Sequence, residues 1–176
     1  MPLLFEAVDA GAALDPSLRA DLLDTWVAVT DAGGSVGFTD PAPVDEIAAA
    51  LDAALARVAA GSDALGVLRH DGRVVGMGLL VDRGTYLCSH WRTVLRVMVH
   101  PAHQGNGSGM TLMTGLHDLA RDLGLEHLQL TVRDGHGLED FYRRLGYVAV
   151  GRHPGAIRVE SGDDRDEIMM MAKLNR

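Results

Sequence analysis

Apolar residues in this chain recur in two rhythms. Leu18, Leu22, Trp26 and Val29 follow one another at helical spacing. They stand behind Asp15-Pro16, an N-cap followed by proline at the first helical position. The pattern predicts a helix to about Thr30 and a second from about Val44 to Ala60, with Ile47, Leu51, Leu55 and Val58 on one face and Gly61 as its stop. Between them Asp31–Pro43 is a loop by its glycines and prolines, and Leu3–Val8 is a candidate first strand.

From Leu65 the period shortens. LGVLRH (65–70) and RVVGMGLLVD (73–82) are β-prone runs joined by Asp71-Gly72, a strong hairpin signal. WRTVLRVMVH (91–100) predicts a strand buried on much of both faces. Leu112, Met113, Leu116, Leu119, Ala120 and Leu123 then mark an amphipathic helix that Gly124 ends. His127–Arg133 reads as a strand and Leu138–Gly146 as a short helix. Tyr147–Arg152 and Glu167–Leu174 read as closing strands, joined by a loop rich in glycine and aspartate. Met169, Met170 and Met171 fit a buried strand, and Asp163, Asp164, Asp166 and Glu167 a solvated cluster in that loop. Without internal repeat or linker, residues 1–176 predict one α/β domain.

Composition narrows the partners. A hydrophobic fraction of 47% with 23% charged residues is ordinary for a globular chain. The net charge of -8 disfavours nucleic acid or an anionic membrane, and mildly favours a cationic small molecule. Cys88 is the one cysteine, so no disulfide can close within the chain and a reducing, cytoplasmic setting is expected. MPLLFEAVDA has no basic segment before its apolar residues, so no signal peptide is expected, and no apolar run approaches a membrane span. The eight histidines show neither His-Glu-x-x-His nor a Cys/His zinc spacing, so no metal is expected.

The candidate chemistry starts at HPAHQGNGSGMTLM (100–113), between a strand and a helix. A Walker A loop needs lysine and then serine or threonine after its last glycine, whereas Gly109 is followed by Met110 and Thr111. A dinucleotide fingerprint needs Gly-x-Gly-x-x-Gly, and that spacing fails from both Gly105 and Gly107. What remains is Gln104-x-x-Gly107-x-Gly109 opening a helix. Glycines bring backbone close to a ligand, and a helix N-terminus leaves N–H donors free for a diphosphate. A plain glycine-rich turn would give the same string.

LRVMVHPAHQGNGSGMTLM resembles the acetyl-coenzyme A motif of the Gcn5-related N-acetyltransferase (GNAT) family, and LQLTVRDGHGLEDFYRRLGYVAVGR resembles that family's second motif. The likeness runs from about Leu65 onward. GGSVGF (33–38) and HPGAI (153–157) resemble segments of the tabtoxin-resistance acetyltransferases, which act on an amino-acid-like toxin. The resemblance implies a mixed, mostly antiparallel sheet of about seven strands with a splayed parallel pair, flanked by about four helices. It implies acetyl-CoA as co-substrate. The backbone of Val97, Met98 and Val99 would hold the pantetheine arm, and the N–H groups of Gln104, Gly105, Asn106, Gly107, Ser108, Gly109 and Met110 the diphosphate. Tyr142 would be the acid that protonates the departing thiolate. Ser35 and Phe38 would shape the acceptor pocket, the tryptophans and Phe141 would pack, and a homodimer is implied because many relatives pair.

Two departures from the family pattern stand out. WRTVLRVMV carries no carboxylate where a base for the amine proton is common, leaving His90, His100, Asp134 and Glu139 as candidates by neighbourhood only. Gly135 replaces the family's asparagine, which suggests a more mobile RDGHG loop. The expectation is an N-acetyltransferase for the primary amine of a small or amino-acid-like molecule. A peptide or protein N-acetyltransferase and a non-catalytic acetyl-CoA-binding module are the alternatives.

Overall fold

A computed structural model describes residues 2–135 and 137–174. Among them the strands are β1 (Leu4–Val8), β2 (Ala64–His70), β3 (Arg73–Val81), β4 (Trp91–Val99), β5 (His127–Arg133), β6 (Val148–Glu160) and β7 (Asp163–Lys173). The helices are α1 (Pro16–Asp31), α2 (Val44–Ala59), α3 (Ser108–Asp122) and α4 (Leu138–Arg143). Local chemistry explains the boundaries. The Asp15 carboxylate accepts from the Ser17 N–H at 2.8 Å and caps α1. Asp45 and Glu46 set negative charge in the first turn of α2. Asp71 and Gly72 both take positive φ, 49° and 82°, as a two-residue hairpin turn requires.

The strands form one sheet in the order β1-β2-β3-β4-β5-β7-β6. All neighbours are antiparallel except β4 and β5. One core lies between the sheet and α3 with α4, around Leu112, Leu116, Leu130 and Ile168. The other lies between the sheet and α1 with α2, around Leu22, Trp26, Leu51 and Met77. The helical spacing of Leu22, Trp26 and Val29 is thus the stripe α1 buries.

Three expectations change. The glycine- and aspartate-rich stretch is not a loop: β6 runs to Glu160 and β7 starts at Asp163, so the hairpin turns only at Ser161-Gly162. Its charges pair across or along the ladder, Arg158 with Asp164, Arg152 with Asp166 and Arg165 with Asp163. Pro154 is tolerated because β6 is an edge strand with irregular register. Of the three methionines only Met170 is fully buried, since alternation turns Met169 outward. β4 buries Val94, Met98 and Val99, but Leu95 is 37% exposed because the strand leaves its neighbour there.

Candidate active site

β4 and β5 pair only from Trp91↔His127 to Thr93↔Gln129, and then diverge. At the last rung the Thr93 hydroxyl donates to Oε1 of Gln129 at 3.2 Å. On its other edge β4 stays on β3, but the register jumps from Leu79↔Leu95 to Met77↔Met98. Arg96 and Val97 therefore oppose the single residue Gly78, a β-bulge, with Arg96 at φ 55°. A bulge bends its strand, which fits β4 turning from β5 at this point. Beyond it the His100 N–H donates to the Val75 carbonyl at 2.8 Å. Alternation then points the Met98 amide and carbonyl at β3, and those of Val97 and Val99 into the gap. Of the three backbone positions expected to line the coenzyme arm, Val97 and Val99 face the opening and Met98 serves the ladder.

The gap joins the two faces of the sheet. A cavity of about 1080 Å³ passes through it, lined on the α3 side by Val99, Val132 and Tyr142 and on the α1–α2 side by Val29, Val36 and Phe38. Such a volume is at the upper end for small-ligand sites and has room for two reactants.

The glycine loop closes one end. Gly105 and Gly107 have φ 88° and 79°, and Gly107 is the N-cap residue of α3 without any side-chain cap. The first amide to bond back is that of Thr111, to the Gly107 carbonyl at 3.0 Å. Among the described residues nothing accepts from the N–H groups of Ser108, Gly109 or Met110. The nearby polar side chains are already engaged. The Gln104 amide donates to the Val99 carbonyl at 2.8 Å, and the buried Ser108 hydroxyl to the His103 carbonyl at 2.6 Å. The result is an open cradle of backbone donors, the arrangement that fits a diphosphate. Asn106 is exposed and its side chain does not line the cavity. A Cβ at Gly109 would press on Phe141 at 3.3 Å, whereas at Gly107 the positive φ is the constraint.

Tyr142 stands on α4 at the cavity wall, 8% exposed, with its ring edge-on to Phe141 and Tyr147 at 5.1 and 5.5 Å. Burial pushes its phenol up to about 12, so it keeps its proton at neutral pH. Tyr147 is pushed higher still by burial and by Tyr142, and meets Nε2 of buried His117 at 3.1 Å. On the α1–α2 side the Trp26 indole N–H donates to the Val36 carbonyl at 3.1 Å, tying the α1–α2 loop to α1. That loop brings Ser35 and Phe38 to the cavity.

The base candidates do not reach it. His90 packs on His127, the His100 ring accepts from the Ala102 N–H, Asp134 pairs with Arg152, and Glu139 with Arg143. Among the described residues the carboxylates lining the cavity are Glu46, which sequence reasoning missed, and Glu167, which it placed in a solvated loop. Glu167 is half-buried on β7 opposite Arg133, and alternation sets both on the α1–α2 face of the sheet. Only the register of the long β6–β7 hairpin reveals this. Gly135 has φ 92°, and a Cβ there would lie 2.5 Å from an Arg165 guanidinium nitrogen. The Arg165 side chain can move aside, so the positive φ is what favours glycine there. His136 lies outside the described residues.

The acetyltransferase (GNAT) family model matches residues 34–147, from the α1–α2 loop through the sheet to just past α4. This chain belongs to that family. Solved GNAT relatives align over nearly their whole length. A GNAT acetyltransferase from Streptococcus pneumoniae shares 18% identity at TM-score 0.76, over 98% of this chain and 99% of that one. The ribosomal-protein-alanine N-acetyltransferase of Brucella melitensis shares 20% at 0.74, over 97% and 99%. An aminoglycoside 6'-N-acetyltransferase complexed with coenzyme A shares 16% at 0.74, over 98% of each. At these identities the likeness is one of fold. The acceptors named for two of them, a protein and an aminoglycoside, differ, so the GNAT fold leaves the acceptor open.

Proposed function

We propose that this GNAT protein is an acetyl-CoA-dependent N-acetyltransferase for the primary amine of a small molecule. The observation that carries this reading is the cavity through the β4–β5 splay, with unsatisfied α3 amides at one mouth and the α1–α2 loop over the other. When bound, acetyl-coenzyme A supplies a thioester whose carbonyl carbon takes the amine nitrogen and whose sulfur leaves. The N–H groups of Ser108, Gly109 and Met110 hold the diphosphate, with Gln104, Gly105 and Gly107 shaping the turn. Val97 and Val99 offer backbone to the pantetheine arm, and the Val97 N–H, which faces the gap, would donate to the oxyanion. Tyr142 gives its proton to the departing thiolate, and its burial keeps that proton in place across neutral pH. Glu167 is the carboxylate best placed to receive the amine proton, directly or through water.

The α1–α2 loop lining that mouth from Gly34 to Thr39 favours a small acceptor over a peptide, which needs an open groove. All groups named here come from one chain. The test is thiol release with acetyl-CoA over a broad amine panel. Acceptor-dependent release is expected. Tight coenzyme binding without it across the panel would instead mark a binding module.

A further inference from the structure

β4 carries an arginine where alternation alone would not put one. Val94 points into the core under α3, and a regular strand would send Arg96 to that same face. The bulge reverses it. Arg96 turns to the α1–α2 face, where its guanidinium lies 5.1 Å from the Trp26 ring centroid and lines the cavity. Gly37 closes over it: a Cβ there would be 2.1 Å from Nη1, and its φ of 97° also calls for glycine. Three local features, a strained non-glycine φ, a bulge and a bare glycine, thus hold one cation at the acceptor end.

No carboxylate meets it. Acidic residues outnumber lysine plus arginine 24 to 16, and Arg19, Arg57, Arg69 and Arg73 each hold an acidic partner. Among the described residues Arg96 has neither ion pair nor hydrogen-bond acceptor, its one recorded contact being the Trp26 ring, and Glu46 on the same cavity is not within ion-pair reach. Burial is the one influence on its proton affinity, pulling it below the ordinary arginine value with nothing opposing. Of the other arginines on the wall, Arg158 is engaged by Asp164, Arg133 stands opposite Glu167 on β7 and is itself engaged, and Arg144 is exposed at the end of α4. A half-buried, unpaired guanidinium facing a cavity is a ready receptor for a carboxylate, which it can hold through two parallel hydrogen bonds.

We infer that Arg96 anchors a carboxylate on the acceptor, so that the acceptor is a free amino acid and not a simple alkylamine. The inference rests on the acetyltransferase reading and deepens it. Arg96 and Val97 are consecutive, with Cα atoms about 3.8 Å apart. The anchor therefore stands beside the backbone that lines the reacting centre, which suits a molecule with amine and carboxylate a few bonds apart.

The test begins with acetyl-CoA binding by calorimetry; its absence sinks both readings. With coenzyme bound, kcat/KM is measured by thiol release for the common L-amino acids, β-alanine and γ-aminobutyrate, each beside its carboxamide. The acid form of the best acceptor is expected to exceed its amide on the order of 30-fold, as a charge-assisted bidentate contact would give. Arg96→Asn, chosen because asparagine tolerates positive φ, should bring that ratio toward one by raising KM for the acid. Arg96→Lys should fall between, keeping charge but losing the fork. If Arg96→Asn does not fold, the wild-type ratio and Arg96→Lys decide. A wild type that uses amides as well as acids, or uses neither while releasing thiol with other amines, overturns the anchor alone. So does a variant in which both fall together, since that marks Arg96 as a structural clamp on Trp26.

Discussion

The two mouths of the cavity are built differently. At the proposed coenzyme end, binding capacity lies in the main-chain amides of the consecutive residues Ser108, Gly109 and Met110, while the Gln104 amide donates to the Pro101 carbonyl and the side chains are spent on the loop itself. At the proposed acceptor end it lies in side chains from four separated segments: Val29 on α1, Phe38 on the following loop, Arg96 on β4 and Glu167 on β7. A backbone cradle requires only that the chain turn correctly, so it suits the reactant common to a family. A pocket of side chains changes with each substitution, so it suits the reactant that varies.

Substitutions can break that division or sharpen it. Tyr142→Phe, between the two mouths, should have the largest effect: kcat down by about 100-fold or more, with coenzyme affinity within about twofold. Near-normal turnover in that variant would remove the phenol from the mechanism. Gly107→Val should act on the coenzyme end alone. Nothing lies within 4 Å of the added Cβ, so the cost is the strain of φ 79°, and acetyl-CoA affinity should fall about tenfold. Calorimetry beside thermal melting checks this, and a loss confined to melting temperature would count against the cradle. Phe38→Ala should do the converse, raising acceptor KM roughly fivefold through lost apolar contact while leaving coenzyme affinity unchanged. A coenzyme defect in that variant would show that the two ends are not separable.

The smallest effect is one of stability and belongs to the α3 side. Burial, with Arg121 nearby, depresses the His117 pKa below its ordinary 6.5. The unfolded chain then binds that proton more readily, so stability falls as pH drops below about 6.5 toward the folded-state value. Thermal melting from pH 8 to 5 should show this loss, and His117→Gln should flatten it. Tyr142 should add no alkaline limb to the rate below about pH 10, because it titrates near 12.

How much of this was legible depends on how far apart in sequence the partners lie. Asp15-Pro16, Asp71-Gly72 and the helical stripe Leu22–Trp26–Val29 each act within a turn or two, and each element appears where the pattern placed it. Glu167 was misplaced because glycine and aspartate normally signal a loop. Arginines on the same hairpin neutralise those aspartates and let β6 and β7 extend. Arg96 gave no signal, since a bulge depends on the neighbouring strand and leaves a plain apolar run around it.

By itself, then, the sequence determined the order and type of the elements, the glycine turn that exposes the α3 amides, and the place of Tyr142 on a short helix after β5. These follow from contacts between near neighbours in the chain. The tertiary structure alone decided where β4 leaves β5, which of Val97, Met98 and Val99 face the gap, and that Arg96 and Glu167 share one face of the sheet. Register sets those features, and it is fixed by the packing of distant strands against two separate cores.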